Sequence, residues 1–296
     1  MSDPYSAMAE TDFSKARLKE IFSRIGGFLV PGQRRLLALE EVRAVIKPKS
    51  EAYRGVIAVP VSMIVGSEGR YRDFARGFLP KNDFLRGRWV RVDLAHYKDI
   101  TLPPIQLYEL GGAYFVRDGN HRVSVAKLKG AMEIDAEVIS LGSEIRIEPD
   151  MTLEELKKAV IRYEKEQFYQ NTSFGALTED ANLDFSSPGR YDEIMEHILT
   201  HKYFINQGNP VELSLDDALL SWYANVYKPI VDTITAERLA SRFPGRTESD
   251  LYAYMVKHWG VLKRRYGVQL PASEAVRDFS KRYGKGLWQR IQAFFQ

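Results

Sequence analysis

The chain contains no cysteine among its 296 residues. This absence excludes disulfides, thiolate metal sites and a cysteine nucleophile. No segment approaches the ~20 consecutive apolar residues that a membrane-spanning helix needs. The opening residues, "MSDPYSAMAETDF", have neither the basic start nor the apolar middle of a signal peptide. We therefore expect a cytoplasmic protein with no membrane partner.

Apolar residues make up 45% of the chain and charged residues 27%, which is typical of a globular protein with a substantial core. The net charge of +3 is too small to indicate nucleic acid by itself. Its distribution is uneven, because Arg70–Arg91 holds seven basic side chains against two acidic ones. Such a cluster can hold phosphate or a nucleic-acid backbone, or it can be a solvated, arginine-rich loop.

Three segments differ in pattern. Residues 1–50 predict a helical lead, with helical spacing in "FSKARLKEIFSRIGGF" and "RRLLALEEVRAVI". Residues 51–145 predict a small α/β unit: a β-branched strand that ends near Val59, where Pro60 interrupts it, then the strands "LPPIQLYEL", "AYFVR" and "IDAEVISL". The pair Gly111-Gly112 predicts a two-residue hairpin between the second and third of these.

Residues 146–296 predict a larger all-helical region. Its first helix starts at Thr152, with Glu155 at capping-box spacing, and residues 170–190 form a loop. The further predicted helices are Tyr191–Phe204, Leu215–Phe243 with an interruption at Pro229, Glu248–Tyr266, and Ala272–Phe295.

The most informative stretch is "YFVRDGNHRVSVAKLKG", where Asp118 to Arg122 join a strand to a helix predicted over Asn120–Lys129 and ended by Gly130. A helix N-terminus offers unpaired N–H groups and a positive dipole end to an anion. Gly119 lets the backbone approach a ligand, and Arg122 can donate in a fork to phosphate oxygens. His121 should have a lowered pKa there and act as a neutral donor or acceptor.

A structural interpretation of the same residues stays open. Asp118 or Asn120 can be a plain N-cap, Gly119 a turn residue and Arg122 a surface charge. Asp118 is also a poor phosphate neighbour unless it holds a metal ion, binds a sugar hydroxyl or acts as a base.

These residues, with the hairpin before them and "IDAEVISL" after them, resemble the phosphate-binding segment of the ParB/sulfiredoxin superfamily. Members have a strand, then G-x-[HR]-R, then a helix with small residues, and Gly119, His121, Arg122 and Ala126 fit that pattern. The upstream "VPVSMIVGSEGRYRDF" resembles the family's other element, a strand followed by an arginine-bearing loop and a helix; it supplies Ser67, Arg70 and Asp73. The resemblance covers about residues 54–141.

The resemblance implies an α+β fold, a small mixed sheet between the N-terminal helices and the helical region, that binds the phosphates of ATP, ADP or CTP. It does not fix the reaction. Sulfiredoxin chemistry is excluded because its catalytic cysteine would stand at Asn120. The second nucleotide motif of ParB partition proteins is not found. Free-serine kinases of the superfamily carry similar D-G-H-H-R motifs and a glutamate in the upstream loop, and Glu68 lies in a comparable position.

We therefore expect a nucleotide-binding protein that couples binding to phosphoryl transfer or hydrolysis. The phosphates would be held by Ser67, Arg70, Gly119, Asn120, His121 and Arg122. Asp118 would hold Mg²⁺ or a hydroxyl, and Glu68 or Asp73 would be the base. The alternatives are a DNA-associated ParB-like regulator or nuclease that makes weak, non-specific backbone contacts, and a catalytically silent nucleotide sensor.

Two further patterns are weaker. His197 and His201 have a spacing that suits zinc, but no third ligand accompanies them, so surface histidines are the simpler interpretation and no metal site is predicted. The stretch Thr235–Val256 faintly resembles a helix-turn-helix, yet its acidic first turn would face DNA badly. The aromatics around Trp222 and Tyr252 are typical of a core.

Overall fold

The computed structural model describes residues 3–26, 35–179, 181–207 and 211–266. The chain divides into two compact units, Met1–Lys157 and Lys158–Gln296. The predicted helical lead and the α/β segment fall in the first unit, and most of the predicted helical region forms the second. Among the described residues, no helix is both long and apolar enough to cross a membrane. The helix predicted over Ala272–Phe295 lies outside the described residues.

The first unit is built on a mixed six-stranded sheet, which confirms the predicted α+β class. Its elements are α1 (Pro4–Gly26), β1 (Leu37–Ala38), α2 (Leu39–Ile46), β2 (Glu51–Pro60), β3 (Ile64–Ser67), α3 (Arg86–Tyr97), β4 (Ile105–Leu110), β5 (Ala113–Asp118), α4 (Asn120–Lys129) and β6 (Glu133–Leu141). The strands follow the order β1-β3-β5-β4-β6-β2 across the sheet.

Local signals in the sequence explain much of this unit. Pro60 ends β2 as predicted. A turn of 3-10 helix then leads to the short strand β3, which the residue pattern did not predict and which only the family resemblance indicated. The hairpin at Gly111-Gly112 is confirmed, with Leu110 opposite Ala113 across the turn. Gly130 ends α4 at φ 71°, a left-handed conformation that glycine adopts readily.

A buried charge cluster anchors the C-terminal end of α4. The Lys129 ammonium lies 2.6 Å from a carboxylate oxygen of Asp12 on α1 and 3.2 Å from one of Asp93 on α3. Asp93 is fully buried. Burial raises the pKa of Asp93, although Lys129 opposes the shift. The cluster therefore ties the C-terminal end of α4 to α1 and α3.

The described part of the second unit consists of helices joined by loops and turns, with no strand, which confirms the predicted helical region. Its elements are α5 (Leu153–Thr172, which begins in the first unit), α6 (Phe174–Leu177), α7 (Arg190–Asn206), α8 (Leu215–Trp222), α9 (Lys228–Ala236) and α10 (Glu248–Tyr266). The capping box is confirmed, since Glu155 N–H donates to Thr152 and the Glu155 carboxylate accepts from Thr152 N–H at 2.8 Å. The predicted interruption near Pro229 is a π-helical turn, Tyr223–Tyr227, between α8 and α9.

Candidate functional site

Two loops leave the same edge of the sheet because β3 and β5 are parallel neighbours. Ser67 pairs with Val116 in this register, and the Glu68 N–H donates to the Val116 carbonyl at 2.9 Å. The loop after β3 and the turn after β5 therefore start side by side. The two stretches that the sequence singled out are brought together by this pairing.

The turn after β5 depends on a glycine. Gly119 has φ 107°, and a Cβ atom on it would lie 2.4 Å from Cγ2 of Ile105. Both the conformation and the close approach exclude a side chain. Gly119 is itself the N-cap residue of α4, and no side chain caps the helix. The interpretation of Asp118 or Asn120 as a plain N-cap is therefore wrong, and side chains leave the first-turn N–H groups of α4 uncapped.

The first turn of α4 buries two polar side chains. Asn120 and His121 are 6% and 5% exposed. Within the described structure, Oδ1 of Asn120 and Nδ1 of His121 have no hydrogen-bond partner. The imidazole packs edge-on against the ring of Phe74, with centroids 5.4 Å apart. A buried polar atom without a partner is costly, so these two atoms call for an explanation such as a bound ligand or water.

Positive charge gathers around His121. Burial lowers the pKa of His121 to about 4, with further lowering by the guanidinium groups of Arg88 and Arg70 and an opposing effect of Asp73. The predicted lowering of the His121 pKa is confirmed, and its main causes are burial and two arginines. The imidazole is therefore neutral at pH 7, as the sequence indicated.

Arg88 was not among the predicted site residues. It lies on α3, and its neighbour Trp89 is fully buried and donates its indole N–H to Ser124 Oγ of α4 at 2.8 Å. This bond holds α3 against α4 and brings the exposed Arg88 near the imidazole. The sequence did contain a signal for α3, because Leu85, Trp89 and Val92 follow one another at helical spacing. The arginines between them and Gly87 made this helical pattern hard to recognise.

Ser67 organises the loop after β3. Its hydroxyl is fully buried, donates to the Val116 carbonyl at 3.2 Å and accepts from the Arg70 N–H at 3.2 Å. Both of these bonds are internal, so the side chain positions the backbone of Arg70. A direct contact of Ser67 with phosphate stays a prediction.

Asp73 lies in a turn of the loop after β3 and is not part of a helix. Its N–H donates to the Arg70 carbonyl at 3.0 Å, and its own carbonyl accepts from the Lys81 N–H at 3.0 Å. Helix α3 begins only at Arg86. The Asp73 carboxylate pairs with the Arg70 guanidinium at 2.9 Å. It is also the carboxylate whose charge opposes the two arginines at His121.

Asp118 and Arg122 bind each other at 2.7 Å. The Arg122 guanidinium also donates to the carbonyls of Pro103 and Pro104, in the segment that leads into β4. The Arg122 side chain is only 16% exposed, whereas Asp118 is 57% exposed. These contacts tie the turn after β5 to the entry of β4, and the phosphate-binding role of Arg122 stays a prediction. Glu68 is exposed on the loop after β3, and its role as a base stays a prediction as well.

The two histidines at the spacing that suits zinc, His197 and His201, have protein partners. Nδ1 of His197 lies 3.4 Å from the Tyr252 hydroxyl, and Nε2 of His201 lies 3.1 Å from Ser221 Oγ. Across the described ranges, no group of three or more histidine or carboxylate side chains is arranged to hold a metal ion. Thr247 and Asp250 cap α10 reciprocally, and Tyr252 is buried. The stretch Thr235–Val256 thus packs into the core of its unit.

Comparisons with known proteins give little beyond this geometry. No family model matches the chain. No curated relative matches it. A solved structure of a Pnob8-like ParB-N domain is similar at 12% sequence identity, with 82% of this chain and 86% of that chain covered and a TM-score of 0.23. A TM-score of that size does not establish a shared fold.

Proposed function

We propose that the first unit binds a nucleotide through its phosphates at the N-terminus of α4 and couples this binding to phosphoryl transfer or hydrolysis. The observation that carries the proposal is His121: a buried, neutral imidazole with a partnerless Nδ1, beside an uncapped helix N-terminus and under the influence of two arginines. The resemblance of Asp118–Arg122 to the ParB/sulfiredoxin motif supports the choice of a nucleotide among possible anions.

The electrostatics favour an anion over a cation. Arg70 and Arg88 both act on His121, and only Asp73 opposes them. The positive end of the α4 dipole adds to the two arginines. An anion placed here would offset positive charge that the protein balances only in part, since of these two arginines only Arg70 pairs with a carboxylate of the described residues within 3 Å.

We assign each residue of the site a separate role. Arg88 and the first-turn N–H groups of α4 would hold phosphate oxygens, because charge-assisted donors bind them most strongly. His121 would donate to, or accept from, the ligand through Nδ1. Arg70 would neutralise charge during transfer while Ser67 and Asp73 keep it in place. Any Mg²⁺ would enter with the nucleotide and be held largely by phosphate oxygens and water.

Asp73 is the better-placed base of the two predicted candidates. Its charge acts on the buried His121, whereas Glu68 is exposed on the loop. A carboxylate base accepts a proton from the attacking hydroxyl or water as the phosphate is transferred. Because Asp73 pairs with Arg70, it can act in this way only if the pair opens or rotates when the nucleotide binds.

The test is a ligand screen by thermal shift and calorimetry with ATP, ADP, CTP, GTP, inorganic phosphate and a short DNA duplex, each with and without Mg²⁺. A ligand that binds only the folded state raises its stability by mass action. We expect at least one nucleotide to bind, and Arg88→Ala to weaken it while Arg91→Ala, on the same helix, leaves it unchanged. Binding by no nucleotide would overturn the proposal. Tight binding by DNA alone would favour the DNA-associated alternative.

A further inference from the structure

The second unit presents an exposed apolar surface on α7. Leu199, Tyr203 and Phe204 are 49%, 63% and 63% exposed. The rings of Tyr203 and Phe204 contact each other edge-on, with centroids 5.5 Å apart, so their surfaces are continuous. Exposed aromatic pairs of this kind mark sites where another apolar surface docks. We call these three residues the α7 patch.

The α7 patch continues into an acidic stripe along the same helix. Asp192, Glu196, Leu199 and Tyr203 follow one another at helical spacing, and all four are exposed. The N-terminal half of this stripe is therefore acidic, and its C-terminal half is apolar. A second copy docked parallel to this surface would bring carboxylates together, and one docked antiparallel would set carboxylates against apolar side chains, so both arrangements disfavour self-association through this face.

The chain itself carries a segment with the complementary pattern. Residues 272–295 contain the basic side chains Arg277, Lys281, Arg282, Lys285 and Arg290 against the acidic Glu274 and Asp278. The end of this segment has apolar residues at the spacing of one helical face, in the order Leu287, Trp288, Ile291, Phe294 and Phe295. Basic residues thus precede apolar ones, just as acidic residues precede apolar ones on α7.

We propose that residues 272–295 dock on α7 of the same chain, with Leu287–Phe295 covering the α7 patch and the preceding basic residues facing Asp192 and Glu196. The segment follows α10, which belongs to the same unit as α7, and five residues, 267–271, separate the end of α10 at Tyr266 from Ala272. Tethering gives the docking an effective concentration that a free partner would not have. Apolar contact supplies the stability, and charge pairing selects the parallel orientation.

The absence of cysteine allows a direct test with the full chain. A variant with Thr200→Cys, an exposed position beside the α7 patch, and Gln292→Cys is treated with a short bis-maleimide at low protein concentration. The control pair is Ala236→Cys with Gln292→Cys, because Ala236 is exposed on α9 of the same unit. We expect a cross-linked monomer in several-fold higher yield for the first pair, and we expect high salt to reduce it.

Placing one carboxylate on either side of the proposed contact tests it. Tyr203→Asp and, separately, Ile291→Asp should each reduce the cross-link to the yield of the control pair, while circular dichroism shows the helices retained. A yield no higher than the control pair in the parent variant would overturn the proposal. Cross-linking that occurs only between two chains and rises with concentration would overturn it as well, and would assign the face to a second copy.

Discussion

Arg122 on α4 and Asp118 at the end of β5 lie 2.7 Å apart, so the two charged residues of the turn bind each other. The sequence presented them as a phosphate-binding arginine and a metal or hydroxyl ligand. In the structure the guanidinium also reaches the carbonyls of Pro103 and Pro104, which makes it part of the framework that holds Gly119 against β4.

This arrangement predicts that Arg122→Ala destabilises the unliganded protein. The change removes donors to two carbonyls and to a carboxylate, and we expect a loss of about 1–3 kcal/mol in the free energy of unfolding. Asp118→Asn should cost less than about 1 kcal/mol, because Asp118 is 57% exposed and the ion pair is screened there. Urea unfolding of both variants measures the difference. An unchanged unfolding midpoint in Arg122→Ala would show that the guanidinium does not stabilise the turn. Arg122 would then again be a candidate for binding phosphate.

Gly119→Ala tests the close approach of the turn to β4. The new Cβ would meet Ile105 Cγ2 at 2.4 Å, and the backbone is in a left-handed conformation. Gly112→Ala is the matched control, because its φ is 84° and nothing lies within 4 Å of its Cβ position. We expect Gly112→Ala to show only the backbone strain, of about 1 kcal/mol or more, and Gly119→Ala to lose about 1–3 kcal/mol beyond it. Equal losses in thermal or urea unfolding would mean that Ile105 moves aside freely.

The sequence predicted the features that depend on neighbouring residues and missed those that depend on contacts between residues far apart in the chain. The bounds of α4 were predicted correctly because a strand, Gly119, a helical run and Gly130 are all local signals. Arg88 was missed because its place beside His121 depends on the bond between Trp89 and Ser124, 35 residues apart in the chain. The engagement of Arg122 with Pro103 and Pro104 depends likewise on contacts 18 and 19 residues apart.

Ser67 shows a second limit of prediction from the sequence. A serine between a strand and an arginine-bearing loop suggests a phosphate ligand, but the hydroxyl is fully buried and its bonds are to the backbone of Val116 and Arg70. The two stretches that the sequence singled out do start side by side at one edge of the sheet, and the site itself stays a prediction. The sequence pattern could not separate the side chains that build the loop from those that a ligand can reach, because burial decides that difference.

If the protein turns over a nucleotide, the choice of base between Asp73 and Glu68 can be measured. Asp73→Asn keeps the shape of the side chain and removes the base, and we expect it to lower kcat by about 100-fold or more. Glu68→Gln should change kcat little, because Glu68 is exposed on the loop. Nucleotide affinity, measured by calorimetry, should fall only modestly in either variant. The opposite ranking of the two variants would assign the role to Glu68, and the absence of turnover in the parent protein would favour a silent sensor.

The protonation of His121 gives the most direct test of the site. Its pKa is lowered to about 4 in the folded protein, whereas an unfolded histidine has a pKa near 6.5. The unfolded state therefore takes up the proton more readily, so stability falls as the pH drops from about 6.5 toward about 4, and the histidine contributes no such effect above that window. His121→Gln should remove this part of the acid sensitivity. The pH dependence of the free energy of unfolding, measured in both proteins, would show it as a difference in slope.

A bound phosphate should reverse the shift. Negative charge beside the imidazole favours the protonated form, so saturating nucleotide should raise the His121 pKa from about 4 toward its ordinary range. Imidazole NMR titration with and without ligand measures this, and His121→Gln assigns the signal among the five histidines of the chain. Arg88→Ala should raise the pKa of the unliganded protein as well, because it removes the larger of the two repulsive charges. An unliganded pKa near 6.5 would mean a solvated imidazole, and a low pKa that stays unchanged on nucleotide binding would place the phosphates elsewhere.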